Sequence, residues 1–422
     1  MSTNATINTP TQIQTFALTQ FAGAAQAQSN QDLGPAASEQ ITKALGNAAS
    51  TIGQWRIVWG PAVLSMGNPP YSVNLMYVVQ NVAEPSQYVI AIAGTNFNSL
   101  IDSVIEDLFV FAQLPWVFNP LAVGAQISLG TAIGLLNLQN MKPDAKLPGG
   151  GSTLVDFLRT IVNQKVQITV AGHSLGGALA PVVALWLADT AQGQQSSWDP
   201  QRNATIGVDT FAGPTPGNLA FSLYAGIRFG RRLRPVYNSL DVVPHAWQEF
   251  GEPSLSELFS IYAPDIAPKI DLSYATLAVL IGAFQLLAAH GGYSPLANLV
   301  AIQGTYNTAI YQGQKLDAFH KFLIQVGYQH INGYYDAFKY QAQWMPKPLK
   351  SVPLSQDLAS LASNSASAQE FVQALQNRQP KQIQVGGVVV NAPRGPDDPQ
   401  TARVAAMVQA ALAAQAGVSA AQ

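Results

Sequence analysis

The stretch VAGHSLGGALA, residues 170–180, decides how the rest of the chain is read. It follows the β-branched run QKVQITVAG (164–172) and leads into helix-forming residues from Leu175 to Asp189. Gly172-His173-Ser174-Leu175-Gly176 fits the pattern G-x-S-x-G, in which a serine sits on a sharp strand-to-helix turn. The spacing has a steric cause. The serine is forced into a strained backbone conformation, and side chains two residues before and after it would collide, so both places favour glycine. The turn predicts an exposed Ser174 hydroxyl at the carboxyl end of a central strand and at a helix N-terminus. Free N–H groups and the helix dipole favour developing negative charge there. So short a pattern also arises as a glycine-rich turn without chemistry; the strand before it and the helix after it are what separate the two. Pro181 falls in the second turn of the expected helix, removes one backbone hydrogen bond and predicts a kink.

Outward from this turn the chain alternates between two periods. WRIVWG (55–60) and NLMYVVQN (74–81) alternate and are rich in β-formers, and QYVIAIAGT (87–95) is a short apolar run suited to a buried central strand. Further strands are expected at 164–172, 204–213 and 232–245. In NSLIDSVIEDLFVF (98–111) the period changes: Leu100, Ile101, Val104, Ile105, Leu108 and Phe109 share one helical face, with Asp102, Glu106 and Asp107 opposite. Strands alternating with helices predict an α/β fold with a mostly parallel central sheet covered by helices on both faces. Residues 1–50 are polar and Ala/Gln-rich, with a helical flavour near 36–50, and read as an N-terminal arm. Past residue 345 the texture turns Ser/Ala/Gln/Pro-rich, with helices expected at 357–378 and 402–415 around the β-like QIQVGGVVV (382–390). Residues 346–422 are therefore treated as a C-terminal appendage.

The chain has 422 residues, long enough for a sizeable core, and 48% hydrophobic residues exclude a disordered polymer. Only 10% are charged, against roughly 25% in an average soluble protein. A net charge of −2 gives no electrostatic footprint for nucleic acid. The absence of cysteine excludes disulfides and thiol catalysis. No histidine pair or carboxylate cluster has metal-ligand spacing, so neither metal nor cofactor is expected. The N-terminus MSTNATINTPTQIQTFALTQ has no basic start and no uninterrupted apolar core, unlike a secretory signal peptide; export by another route and a cytoplasmic location both stay open. The longest uncharged apolar stretch, 272–292, contains Ser273, Thr276, Gly282 and Gln285 and predicts a buried or cap helix rather than a membrane span.

A nucleophilic serine needs a base, and the base an orienting acid. Of the five histidines, His173 is turned away by its own bend and reads as a packed structural residue. His245 lies too close to the best acid, His290 ends the apolar stretch, and His320 sits in a helical pattern. His330, in VGYQHINGYYDAF, a loop-like lead-in to a helix, is left as the base; the alternative is an ordinary surface histidine. Asp241 is the preferred acid. It follows RPVYNSL at a strand's carboxyl end, facing the same sheet edge as Ser174, and Pro244 stops regular structure after it. Its rivals are Asp209, inside a strand pattern, and a plain turn role for Asp241 itself. Oxyanion donors are expected at the backbone N–H of Leu175 and in the loop at Gly94-Thr95. The order Ser174, Asp241, His330 is that of α/β-hydrolases.

These residues together resemble the class 3, fungal-type triacylglycerol lipases of the α/β-hydrolase superfamily. The matching stretches are YVIAIAGTNFNSLIDSVIEDLFVF, ITVAGHSLGGALA, TFAGPTPGN, VYNSLDVVPH and QHINGYY, in the family's order within residues 55–340. The resemblance implies an α/β-hydrolase domain over 51–345, a lid near 96–111 and a cap insertion near 250–315. It implies Thr95 as oxyanion residue and Ser174, Asp241 and His330 as triad. The expected activity is hydrolysis of carboxylic esters of lipids, with transient lipid contact through the lid. Ala93 stands where the family often has arginine, and the stretches 113–147 and between Asp241 and His330 are longer than usual. Alternatives are an esterase on soluble or feruloyl-type esters, a phospholipase, or a non-catalytic lipid- or partner-binding protein on the same fold.

Overall fold

The computed structural model describes residues 9–27, 32–66, 71–94, 109–192, 197–248, 252–263, 272–289, 291–347, 364–378 and 382–417. Eleven strands among them are β1 (Trp55–Met66), β2 (Tyr71–Asn81), β3 (Gln87–Ile92), β4 (Gln113–Pro115), β5 (Gln126–Ser128), β6 (Val166–His173), β7 (Ala204–Phe211), β8 (Leu233–Asn238), β9 (Val300–Ile302), β10 (Gln382–Val385) and β11 (Val388–Asn391). The α-helices are α1 (Gln12–Phe21), α2 (Leu33–Ile52), α3 (Leu129–Asn140), α4 (Leu154–Ile161), α5 (Leu175–Thr190), α6 (Leu219–Phe229), α7 (Leu272–Ala288), α8 (Ala318–Ile331), α9 (Ala368–Arg378) and α10 (Pro399–Ala416).

Seven strands make the central sheet in the order β1-β2-β3-β6-β7-β8-β9. β1, β2 and β3 pair antiparallel; β3, β6, β7, β8 and β9 pair parallel. Every residue of β3 and β6 is buried, as expected of parallel strands covered on both faces. The pleat sends alternate side chains into two cores. Met76, Val78, Ile90, Ile92 and Val170 meet Leu179 and Val183 of α5 on one face. Leu75, Tyr77, Val79, Val89, Ala91 and Ala171 meet Phe16, Phe21, Ile41 and Phe338 on the other. The sheet is thus the mostly parallel, two-sided α/β sheet that the sequence predicts.

Several segments pack differently from their sequence texture. Within 1–50, α1 and α2 form the second helical layer rather than a loose arm: α1 packs on β3, β6 and β7. Thr11 caps α1 reciprocally with Gln14. The range 250–315 supplies α7 but also β9, the seventh strand of the sheet. Residues 113–147 form the β4–β5 hairpin and α3, which is buried almost all round and so carries no helical period to read. In the C-terminal segment, α10 packs on α3 and α9 on α7, and Phe371, Val385, Val404 and Val408 join the main core. α5 runs without a break through Pro181. No helix among the described residues is long and apolar enough to cross a membrane.

Candidate active site

β6 ends at His173 and α5 begins at Leu175, so Ser174 alone makes the turn. Its φ of 61° and ψ of −129° lie where an L-residue is strained, at a cost of about 1–3 kcal/mol. The surroundings impose that conformation. A Cβ on Gly172 would run into the carbonyl of Gly176, and one on Gly176 into the carbonyls of Ile92 and Ala93. A Cβ on Gly94 would come within 2.9 Å of both the His173 oxygen and the Ser174 Cβ. The loop after β3 therefore lies directly against the serine. Ser174 N–H donates to Phe211 O at 3.0 Å, and its carbonyl accepts from Gly177 and Ala178 at 2.7 and 3.2 Å. Leu175, at the first position of α5, has its N–H outside the helical ladder.

Asp241 lies three residues beyond β8, not on the strand, which stops at Asn238. Its N–H donates to the Asn238 carbonyl at 2.8 Å, closing a tight turn. Its carboxylate accepts from His330 Nδ1, 3.0 Å from each oxygen, from Tyr334 hydroxyl at 2.7 Å and from Val243 N–H at 3.1 Å. Four donor contacts replace the water that a buried carboxylate loses.

His330 sits in the last turn of α8 rather than in a loop; the helical pattern of DAFHKFL simply runs on to Ile331. Asn238 anchors this helix end, its Nδ2 donating to the Gln329 carbonyl at 3.1 Å and to Gln329 Oε1 at 2.9 Å. Gly333 has to be glycine, because a Cβ there would meet the Asn238 amide. With Nδ1–H committed to Asp241, the imidazole Nε2 is the basic nitrogen.

Two of the other histidines hold backbone carbonyls. His173 Nε2–H donates to the His330 carbonyl at 2.9 Å, and its ring lies 4.9 Å from that of His330. Burial, seconded by the neighbouring His330, holds its pKa well below the usual 6.5, so it is neutral. His245 Nδ1–H donates to the Asp241 carbonyl at 2.7 Å. Burial lowers its pKa as well. His320 is exposed and pairs with Asp317 on α8's first turn. The rival acid, Asp209, is engaged elsewhere, by Arg234 and Thr15.

Asp241 and His330 are thus joined, and Ser174 stands at the carboxyl end of β6, one strand removed from β8 in the same sheet. The Ser174 Oγ and His330 Nε2 are both buried without a hydrogen-bond partner. One expectation fails: the Ser174 hydroxyl is not exposed, for the residue is wholly buried, as are Asp241 and His330. A turn fixes where a hydroxyl points, but not what lies above it. Thr95, His290 and the expected lid from 96 to 108 lie outside the described residues; Phe109 and Val110 are buried in the main core. Sequence reasoning missed Asn238, whose only signal is its place at the start of the turn that carries Asp241. Among the described residues no cluster of three metal-ligating side chains occurs.

The sequence profile of the class 3 lipases matches residues 151–250, which hold the Ser174 turn and Asp241. Among solved structures, the M37 lipase is 32% identical and superposes with a TM-score of 0.64, the match covering 77% of this chain and 92% of that one. Lipase II from Rhizopus niveus is 19% identical, with a TM-score of 0.36 over 56% of this chain and 74% of that one. No curated protein sequence matches significantly. By its 32% identity over nearly the whole of the M37 lipase, and by the profile match across the serine turn, the chain belongs to the class 3 lipases, a family of lipid ester hydrolases with the α/β-hydrolase fold.

Proposed function

We propose that the chain hydrolyses carboxylic esters of lipids through an acyl-enzyme on Ser174. His330 Nε2 takes the Oγ proton as the oxygen attacks the ester carbonyl carbon. Asp241 keeps Nδ1 protonated and stabilises the imidazolium that forms. The oxyanion is held by the Leu175 N–H and by Thr95. His330 then gives its proton to the departing alcohol; water, deprotonated by the same nitrogen, cleaves the acyl group from Ser174. The observation that carries this reading is the buried Asp241–His330 pair, whose free nitrogen and the strained serine's hydroxyl both lack partners. Leaving two buried polar groups unpaired is costly, and a reaction that uses both is one reason for a fold to bear that cost.

Because Ser174 is buried, substrate reaches it only when its cover moves. The segment 96–111 is the proposed cover, by resemblance to the family's lid. Losing one oxyanion donor, as in Thr95→Val, is expected to cost about 100- to 1,000-fold in kcat.

A fluorophosphonate probe followed by peptide mapping tests the assignment. The label is expected on Ser174, and Ser174→Ala is expected to lose both label and turnover while keeping the thermal unfolding midpoint within a few degrees. Turnover retained in Ser174→Ala, or a folded chain that takes no label, overturns the proposal; the latter favours a non-catalytic binding role. Relative turnover of short- and long-chain p-nitrophenyl esters separates a lipase from an esterase for soluble substrates.

A further inference from the structure

The solvent face of α6 is built from the wrong residues for a surface helix. Its exposed positions are Leu219, Leu223, Ile227 and Arg228. The three aliphatic side chains are 55%, 54% and 83% exposed. Spaced by four residues, they form a stripe about 12 Å long on one helix face, where polar side chains ordinarily stand. Beside them, the loop between β4 and β5 holds out Leu121 and Val123, 80% and 84% exposed. The α6 cap fastens that loop to the helix: Asn218 Nδ2 donates to Gly124 O at 2.8 Å and its Oδ1 accepts from Gln126 N–H at 3.1 Å. Among the described residues ten large hydrophobic side chains are exposed, and these five are half of them. Such clustering marks an interaction surface, whereas scattered singles mark nothing.

The patch has a basic rim. Arg228 ends the stripe, and Arg231 and Arg232, both exposed, occupy the next turn. Arg232 donates to the carbonyls of Ile206 and Arg228 and, among the described residues, to no carboxylate. Acidic compensation is missing from the surrounding sequence. Residues 109–141 carry no charge, and the carboxylates between 190 and 235, Asp199 and Asp209, are buried. Asp189 pairs with Arg228 at 3.0 Å but its side chain is inaccessible. The stripe also starts at the right edge. α6 follows β7, whose carboxyl end lies beside that of β6, so Leu219 begins at the edge of the sheet that carries Ser174.

We propose that this face, an aliphatic stripe with an arginine rim, adsorbs the molecule to an anionic lipid surface independently of any cover over Ser174. The inference rests on the lipid-ester reading above and deepens it. Aliphatic side chains enter the acyl boundary while guanidinium groups meet headgroup phosphates, the division of labour of an interfacial helix. A second copy of the chain offers no carboxylate on this face to meet the rim. A protein-docking patch would also be expected to carry aromatic anchors, which these five positions lack.

Flotation with vesicles of equal parts phosphatidylcholine and phosphatidylglycerol tests it. The double variant Leu223→Gln, Ile227→Gln is expected to bind such vesicles at least about tenfold more weakly. Arg231→Glu is expected to weaken binding to these vesicles, but not to pure phosphatidylcholine. Both variants change exposed side chains only, so thermal midpoints and turnover of a soluble short-chain p-nitrophenyl ester are expected to stay at the parent's values. Unchanged vesicle binding in the double variant overturns the proposal. So does a dimer of the parent that the double variant dissolves, which assigns the face to self-association. Vesicle binding is read without turnover, so failure of the ester chemistry leaves this result standing on its own. Conversely, ester turnover with no vesicle binding removes only the adsorption surface.

Discussion

The Tyr334 hydroxyl works in two directions. It donates to Asp241 at 2.7 Å and accepts from the Asn238 N–H at 2.9 Å, so it ties the acid's carboxylate to the end of β8. Burial, with the Asp241 charge adding to it, pushes its pKa well above 10, and it remains a donor at any working pH. A hydrogen bond to a charged group is worth about 1.5–3 kcal/mol. In Tyr334→Phe the carboxylate loses one donor and its tie to the end of β8, so it holds the His330 ring less firmly. The expected outcome is about a tenfold fall in kcat with KM little changed, measured on a soluble p-nitrophenyl ester. At this scale much of the candidate site was legible. Ser174, Asp241 and His330 follow from a steric motif, a strand end and elimination among five histidines, and the structure brings the last two together. Asn238 and the carbonyl-holding roles of His173 and His245 were not legible. Each depends on which backbone oxygen the fold carries past a ring, and no local pattern records that.

Among elements, α1 depends on one ion pair. Arg234 of β8 grips Asp209 of β7 with Nε and Nη2 at 2.6 and 2.7 Å, and the Thr15 hydroxyl of α1 closes on the same carboxylate at 2.5 Å. Arg234 also donates to the Pro10 carbonyl at 2.8 Å, while Gln12 returns a bond to the Arg234 carbonyl at 3.1 Å. Asp209 is wholly buried, so removing its partner leaves a charge without compensation. Arg234→Met is expected to lower stability by about 3–5 kcal/mol, measured by urea denaturation. The double replacement Asp209→Leu, Arg234→Met is expected to recover much of that loss, because both charges go together. The elements that sequence periods reveal are those with a uniform environment. β3, β6 and β7 stand out as apolar runs because helices cover both their faces. α1 and α3 escaped notice because they are buried nearly all round, leaving no polar face to set a period. Strands of three residues, β4, β5 and β9, are shorter than any pattern that alternation can mark.

At the scale of the whole molecule, the first and last described helices belong to one folded unit, since α1 and α2 cover one face of the sheet and α9 and α10 join the core of the other. His173 stands where the N-terminal layer meets the Ser174 turn. Its ring lies 6.0 Å from Phe16 of α1, 4.9 Å from His330 and 5.7 Å from Tyr334. Its pKa is held well below 6.5 in the folded chain and returns to about 6.5 in the unfolded one. Below that pH the unfolded state therefore binds a proton that the folded state refuses. Stability from this group is complete above about pH 6.5 and falls as pH drops toward the folded pKa, by about 1.4 kcal/mol per pH unit for one proton. Unfolding free energies measured between pH 7.5 and 5, above the range where ordinary carboxylates titrate, are expected to fall at this slope below about pH 6.5, with His245, lowered likewise by burial, adding to it. His173→Gln keeps a side-chain donor near the His330 carbonyl but cannot take the proton. It is expected to be less stable than the parent at neutral pH and to have a flatter profile, so that the two curves converge on acidification. Parallel curves would mean that another group takes up the acid-side proton, and that the folded chain accommodates a charged His173.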